Sequence, residues 1–222
     1  MNVSPLSRWL LLCAVFVAVG PISSISSVWA EGSPDPAAAF IQDFGDRAIN
    51  ALTEEGLPTK ELRARFEKLY DEGFDSPAIG RFVLGRYWKK ASKEEREKFQ
   101  GLFNTFVVQT YAAKFRHYGG ETFMVTGSQR SEGGSTFVVS SKVQQPSGAP
   151  PIVLSWRVSE SDDAYKIYDI TVEGVSMVVT QRSEFTSVIR SGGGKIETLI
   201  DALRDKTTKL ASKESEGENV NN

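Results

Sequence analysis

The stretch 99-FQGLFNTFVVQTYAAKFRHYGGETFMVTGSQR-130 changes its periodicity in the middle, and that change sets the class of fold. Phe99, Leu102, Phe103, Phe106, Val107 and Thr110 recur at the spacing of one face of a helix. Just upstream, Ser92 and Glu95 stand at capping-box spacing, so the helix is expected to start there and run to Phe115. At Gly119-Gly120 the period falls from about 3.6 residues to two, the signature of strands.

Downstream of that switch, strands are expected at Thr122–Arg130, Thr136–Gln145, Ile152–Ser159 and Tyr165–Val172. The separators 131-SEGG-134, 146-PSGAPP-151 and 160-ESDDA-164 have turn or loop composition. Ile152, Leu154, Trp156 and Val158 alternate cleanly with Val153, Ser155 and Arg157. Short connections between successive strands imply an antiparallel meander. In 169-DITVEGVSMVVTQRSEF-185 the last strand breaks at Gly174 and gives way to an apolar segment.

Helical patterns flank the strands on both sides. Before them come 35–56, with Ile41, Phe44, Ala48, Ile49 and Leu52 in phase, and 59–74, with Leu62, Phe66, Leu69 and Tyr70. Ser76-Pro77 has the form of an N-cap followed by proline, opening a short helix through Ile79, Phe82, Val83 and Leu84. After the strands, Ser183–Ser191 carries Phe185, Val188 and Ile189, and 195–210 carries Ile196, Leu199, Ile200, Leu203, Thr207 and Leu210. The expected class is α+β: an antiparallel sheet of about four strands packed with a helical layer.

The first 30 residues have the form of a secretory signal peptide. Arg8 precedes an apolar run from Trp9 to Val19, which is too short to span a bilayer, and cleavage is expected after Ala30. Residues 31–210 then form a single domain with helical and sheet parts, and 211–222, lacking an apolar period, form a disordered tail. The chain's one cysteine, Cys13, leaves with the leader, so the exported protein is expected to be soluble and without disulfides. A formal net charge of −2 without a long basic run argues against nucleic acid as partner.

Catalytic signals are sparse. The one histidine, His117, has no G-x-S-x-G elbow to serve and too few companions for a metal site, so it is read as a partly exposed residue near a helix end. Asp169 and Glu173 flank the end of a strand and form the only carboxylate pair weighed as acid and base, a weak candidate without their separation. The glycines 192–194 neither follow a strand nor precede G-K-S/T and are read as a reversal between helices. No catalytic residue, metal or cofactor is assigned. The apolar and aromatic side chains spread over every element suit a closed core or a carrier pocket equally well.

The segments 80-GRFVLGRYWKKASKEEREKFQGLFNTFVVQTYAAKF-115, 156-WRV-158, Tyr168-Asp169 and 172-VEGVSMVVTQRSEFTSVI-189 carry a resemblance. With the glycine turn and the Leu199–Leu203–Lys206 helix that follow, the chain resembles, over most of 36–210, the periplasmic phospholipid-carrier family of Gram-negative bacteria, also known as toluene-tolerance auxiliary proteins. The resemblance implies a curved antiparallel sheet packed with a helical layer, a deep apolar cavity between them, phospholipid as cargo and no catalytic step. It implies two partners in outer-membrane lipid asymmetry: an inner-membrane ABC transporter with a periplasmic lipid-binding domain, and an outer-membrane lipoprotein–porin complex. A neighbouring branch is associated with hopanoids, so hopanoid is the alternative cargo. A periplasmic protein-binding or scaffold module with a filled core, or a small hydrolase using His117, are the alternative classes.

On this reading the helices supply Phe82, Leu84, Trp88, Phe103, Phe106, Val107 and Tyr111 to the wall around the lipid tails. The strands and the segment after Gly174 supply Val139, Leu154, Trp156, Ile170, Val175, Met177 and Val179. Arg81, Arg86, Ser176 and Arg182 are the expected headgroup or docking residues, because a guanidinium can pair with phosphate through two hydrogen bonds. Lys89-Lys90 is expected to meet an acidic surface or to solvate a helix end.

Overall fold

The computed structural model describes residues 35–161 and 164–220, and the side chains among them other than those at 117 and 214–220. The expected leader lies outside the described residues, as do the side chain of His117 and the Asp162-Asp163 pair. Pro34–Asn222 forms one compact unit. Its elements run α1 (Pro36–Leu52), α2 (Thr59–Gly73), α3 (Ser76–Leu84), a 3-10 turn (Gly85–Tyr87), α4 (Lys93–Ala112) and a second 3-10 turn (Ala113–His117). Then follow β1 (Thr122–Arg130), β2 (Thr136–Gln144), β3 (Ile152–Ser161), β4 (Ala164–Val172), β5 (Val175–Ser176), α5 (Met177–Ser191) and α6 (Ile196–Val220).

The strands lie in the order β1-β2-β3-β4-β5, each antiparallel to the next. The sheet thus has five strands where about four were expected. The additional one is two residues long, too short for an alternating pattern to reveal. Register shifts at Thr126 in β1 and at Tyr168 in β4 insert one extra residue each, which bends a strand and increases its twist. Along the described edge of β1, the Val125 N–H is met by the side-chain oxygen of Gln42 at 2.9 Å. That contact occupies a donor otherwise open to a foreign strand.

Several helix boundaries depart from the sequence reading. Ser92 and Glu95 form the expected capping box, each side chain meeting the other's backbone. The cap of α3, however, is Asp75, whose side chain accepts from Ala78 N at 3.0 Å, and Ser76 is already helical. A carboxylate at this position outcompetes the serine and also suits the positive end of the helix. α5 begins at Met177 rather than Ser183. α6 continues to Val220, through the segment read as an unstructured tail. Alanine, lysine and glutamate there extend an existing helix at little cost even without an apolar stripe.

Two apolar clusters hold the unit together. In the first, Ile41, Phe44 and Leu52 of α1 and Leu62 and Leu69 of α2 pack on Phe137, Val139, Trp156, Val158 and Ile167 of the sheet. Trp156 is met edge-on by Phe44 and Phe123, at ring separations of 6.3 and 6.0 Å, and donates its indole N–H to buried Ser141 at 2.8 Å. In the second, Val83, Leu84, Phe99 and Phe103 are closed by Phe185 and Ile189 of α5 and Leu199 and Ile200 of α6. Phe74 packs against both clusters.

α4 serves both clusters with different faces. Phe99 and Phe103 point into the helical cluster, yet the next buried residues are Val108, Gln109 and Ala112. At about 100° per residue these lie on roughly the opposite side of the helix. Ala112 joins the sheet-facing cluster. The expected stripe therefore does not stay buried: Phe106, Val107 and Thr110 continue the Phe99–Phe103 face but are only half-buried.

Candidate functional site

The segment after β4 positions the site. Glu173 and Gly174, with φ of 47° and 82°, form the two-residue turn that pairs Val172 with Val175. The chain then enters α5 over an unusual cap. Ser176 Oγ accepts from Val179 N at 3.2 Å and donates to Asp169 Oδ2 at 2.7 Å, while Asp169 Oδ1 accepts from Val178 N at 3.2 Å. Asp169 is buried on β4, so a fixed negative charge meets the positive end of α5 and ties the helix to the sheet. Glu173 accepts from Val153 N. The two carboxylates weighed as an acid and base pair are thus both engaged with backbone donors.

Starting α5 at Met177 places Arg182 on its second turn, beside α3. A cleft of about 800 Å3 lies there, lined by Arg81, Arg86, Lys89 and Arg182 together with Phe82, Gly85 and Trp88. The Arg182 guanidinium sits 5.0 Å over the ring of Phe82. It also lies close to Gly85, where an added Cβ would lie 2.9 Å from Arg182 Nε. Gly85 also has φ of +56°, so any side chain there is strained as well as crowded.

Arg86 lies over Tyr87, 5.0 Å from ring centre to guanidinium, and donates to its hydroxyl at 3.0 Å. That hydrogen bond holds the Tyr87 phenol below its ordinary range, and the nearby charges of Arg190 and Lys90 act in the same direction. Arg96 stacks over Trp88 and donates to its carbonyl at 2.9 Å, fixing the floor of the turn. Among the described residues, none of Arg81, Arg86, Lys89 or Arg182 takes part in an ion pair. A smaller cleft of about 470 Å3 reaches from Asp71 to Lys166. It is knit by Ser76, Gln100 and Asn104, with Gln100 donating to both of the others at 2.9 Å.

A family model described as MlaC protein matches residues 29–205. The chain belongs to the MlaC family. A relative from Haemophilus influenzae, the intermembrane phospholipid transport system binding protein MlaC, is 29% identical over 131 residues. That match covers 58% of this chain and 60% of the relative, so the chain spans less than two thirds of the curated protein it matches. A phospholipid-binding protein from Ralstonia solanacearum, solved in complex with a phospholipid, superposes with a TM-score of 0.71 at 23% identity. It covers 79% of this chain and 98% of its own, and carries the likeness of fold.

Within this MlaC-family fold, the residues singled out from the sequence take different positions. Arg81, Arg86 and Arg182 come together in the cleft, along with Phe82 and Trp88, which were expected in the tail wall. Ser176 is occupied as the cap of α5 and is not part of the cleft lining. Leu84, Phe103, Val139 and Trp156 are buried in the two clusters, Leu84 and Phe103 in one and Val139 and Trp156 in the other. Phe106, Val107, Tyr111, Leu154, Ile170 and Met177 are half-buried, and Phe82, Val175 and Val179 are exposed. The fourteen side chains expected in the wall thus differ widely in burial.

Sequence reading missed Gly85 and the assignment of Lys89 to the same cleft. A signal for both was present, since Arg81, Gly85 and Lys89 repeat at intervals of four, one helical face apart from the apolar stripe. Among the described residues there is no group of three or more histidine, cysteine, aspartate or glutamate side chains able to hold a metal ion. No described helix is long and apolar enough to cross a membrane.

Proposed function

We propose that this chain is a periplasmic carrier of phospholipid that shields the acyl tails without performing a catalytic step. The observation that carries the reading is the incomplete burial of α4. Phe106 and Val107 prolong a face whose earlier residues, Phe99 and Phe103, are fully covered, yet they are only half-buried. Leu154 and Ile170 are half-buried in the same way beside the sheet-facing cluster. Membership of the MlaC family and the phospholipid-binding roles of its two relatives support the same reading.

Physical chemistry explains why such a carrier is needed. A diacyl lipid holds about 30 methylenes, and each costs about 0.8 kcal/mol in water, so free transfer faces a barrier on the order of 20 kcal/mol. Parting the seam between the two clusters gives the tails an apolar environment, with Phe106, Val107, Tyr111, Leu154, Ile170 and Met177 as walls. Binding driven by tails is slow to reverse into water, so delivery depends on docking. The donor and acceptor in this proposal are an inner-membrane ABC transporter with a periplasmic lipid-binding domain and an outer-membrane lipoprotein–porin complex.

The test is mass spectrometry of organic extracts from the purified protein, paired with native mass spectrometry of the intact species. A stoichiometric phospholipid is the expected result. A hopanoid in its place would reassign the cargo. A folded protein that carries no lipid and takes none from liposomes would reject the carrier role in favour of a protein-binding module.

A further inference from the structure

We propose that the cleft between α3 and α5 is a phosphate-binding site, formed by Arg81, Arg86, Lys89 and Arg182, that takes a phosphodiester of headgroup size. The inference rests on the carrier reading only for the source of that phosphate, the headgroup of the cargo.

Four cations from three separate elements line one concavity in a chain whose formal net charge is −2. Among the described residues none is neutralised by a carboxylate, although ion pairs elsewhere are plentiful, including both Asp43 and Glu72 on Arg47 and both Glu54 and Glu61 on Arg65. Gathering like charges is unfavourable unless an anion joins them, so their concentration here points to a missing negative ligand. Arg190 and Lys90 approach the same turn and add to the positive field around Tyr87.

Two of the guanidinium groups are held in place before any ligand arrives. Arg182 lies over the Phe82 ring and close to Gly85, and Arg86 lies over Tyr87 and donates to its hydroxyl. Preorganised guanidinium forks favour the oxygens of a phosphate, which they can meet through paired, charge-assisted hydrogen bonds. The cleft is larger than a bare phosphate needs, and Phe82 and Trp88 offer apolar surface to the remainder of a phosphodiester. Val179 precedes Arg182 by three residues on α5 and is exposed, which gives an apolar exit beside the charges on the same helical face.

The experiment is calorimetric titration of the purified protein at low salt with three probes: glycerophosphoglycerol, which has the phosphodiester but no tails, inorganic phosphate, and a glutamate-rich peptide. Saturable binding of glycerophosphoglycerol is expected, weakened about tenfold in Arg182→Gln and in Arg81→Gln, and unchanged in Arg204→Gln on α6. Among the described residues the side chains of Arg81 and Lys89 take part in no ion pair, so Arg81→Gln and Lys89→Gln keep the test valid should Arg182→Gln fold poorly. Equal binding of inorganic phosphate keeps the site and makes free phosphate its source. Binding of the peptide alone overturns the proposal in favour of an acidic protein partner. Absence of binding to both phosphate probes, or binding indifferent to Arg81→Gln and Lys89→Gln, also overturns it.

Lipid phosphorus co-purifying with each variant is measured in parallel. A protein that carries lipid but ignores the tail-free diester loses this site and keeps the carrier role. One that binds the diester but carries no lipid keeps the site and loses the carrier role.

Discussion

The sheet-facing cluster encloses Trp156 between two aromatic edges and ties its one polar atom to Ser141, whereas the helical cluster is a stack of phenylalanines. Phe99 and Phe103 lie nearly parallel at 5.7 Å, and Phe185 meets each of them edge-on at 5.9 Å. The first arrangement has a directional hydrogen bond that fixes how β2 and β3 register beneath α1. The second depends on apolar contact, which is strong but tolerates small displacements of one helix past another. On the proposed carrier reading, the sheet-facing cluster is the part that stays and the helical cluster the part that yields.

The sharpest way to break the contrast uses two residues of α4. Phe99→Ala, which empties a fully buried site, is expected to cost about 4 kcal/mol of stability in urea denaturation. Phe106→Ala, on the same helical face but half-buried, should cost about 1 kcal/mol and nevertheless lower the lipid retained per protein. Equal stability losses for the two would remove the distinction between core and seam.

A second test addresses the joint between the clusters. Tyr70 stacks on Phe74, the side chain common to both, and burial pushes its phenol up to about 12. A raised folded value means that the neutral form is favoured in the native state. The associated stability is fully present below the unfolded value near pH 10 and lost as pH rises through 12, about 3 kcal/mol in all. Denaturation midpoints of the wild type should fall between pH 10 and 12, and Tyr70→Phe should flatten that part of the slope.

Ser141→Ala leaves the Trp156 indole N–H buried and unpaired, for an expected loss of about 1–2 kcal/mol. In the background of Trp156→Phe the same change should cost far less, and a double-mutant cycle reads the difference. The smallest effect belongs to the surface: Arg47→Ala removes exposed ion pairs to Asp43 and Glu72 and should change stability by only a few tenths of a kcal/mol.

How far the sequence could be read depended on where the deciding interaction lay. The four long strands and the start of α4 rest on local signals, alternation and a capping box, and these appear almost at their expected boundaries. The start of α5 does not. Val178-Val179-Thr180 is β-branched and poor in helix propensity, and the segment is helical because Ser176 caps it and Asp169 on β4 braces that cap and accepts from Val178 N. The basic cleft was half legible. Arginine chemistry marked Arg81, Arg86 and Arg182, but their convergence depends on how α3 packs against α5, which no period records. The wall was least legible, because Phe103 and Phe106 are identical side chains on one stripe and only tertiary packing separates a covered position from a half-covered one.

The order of elements also bears on how the chain is made. Phe99 and Phe103 come before the whole sheet in the chain, and the residues that enclose them, Phe185, Ile189, Leu199 and Ile200, come after it. A polypeptide emerging N-terminus first must therefore hold those rings without their partners until its final segment appears. Contacts between such distant parts slow folding. The helical cluster is therefore closed only once α5 and α6 have been made, and α6 is the last element to join it.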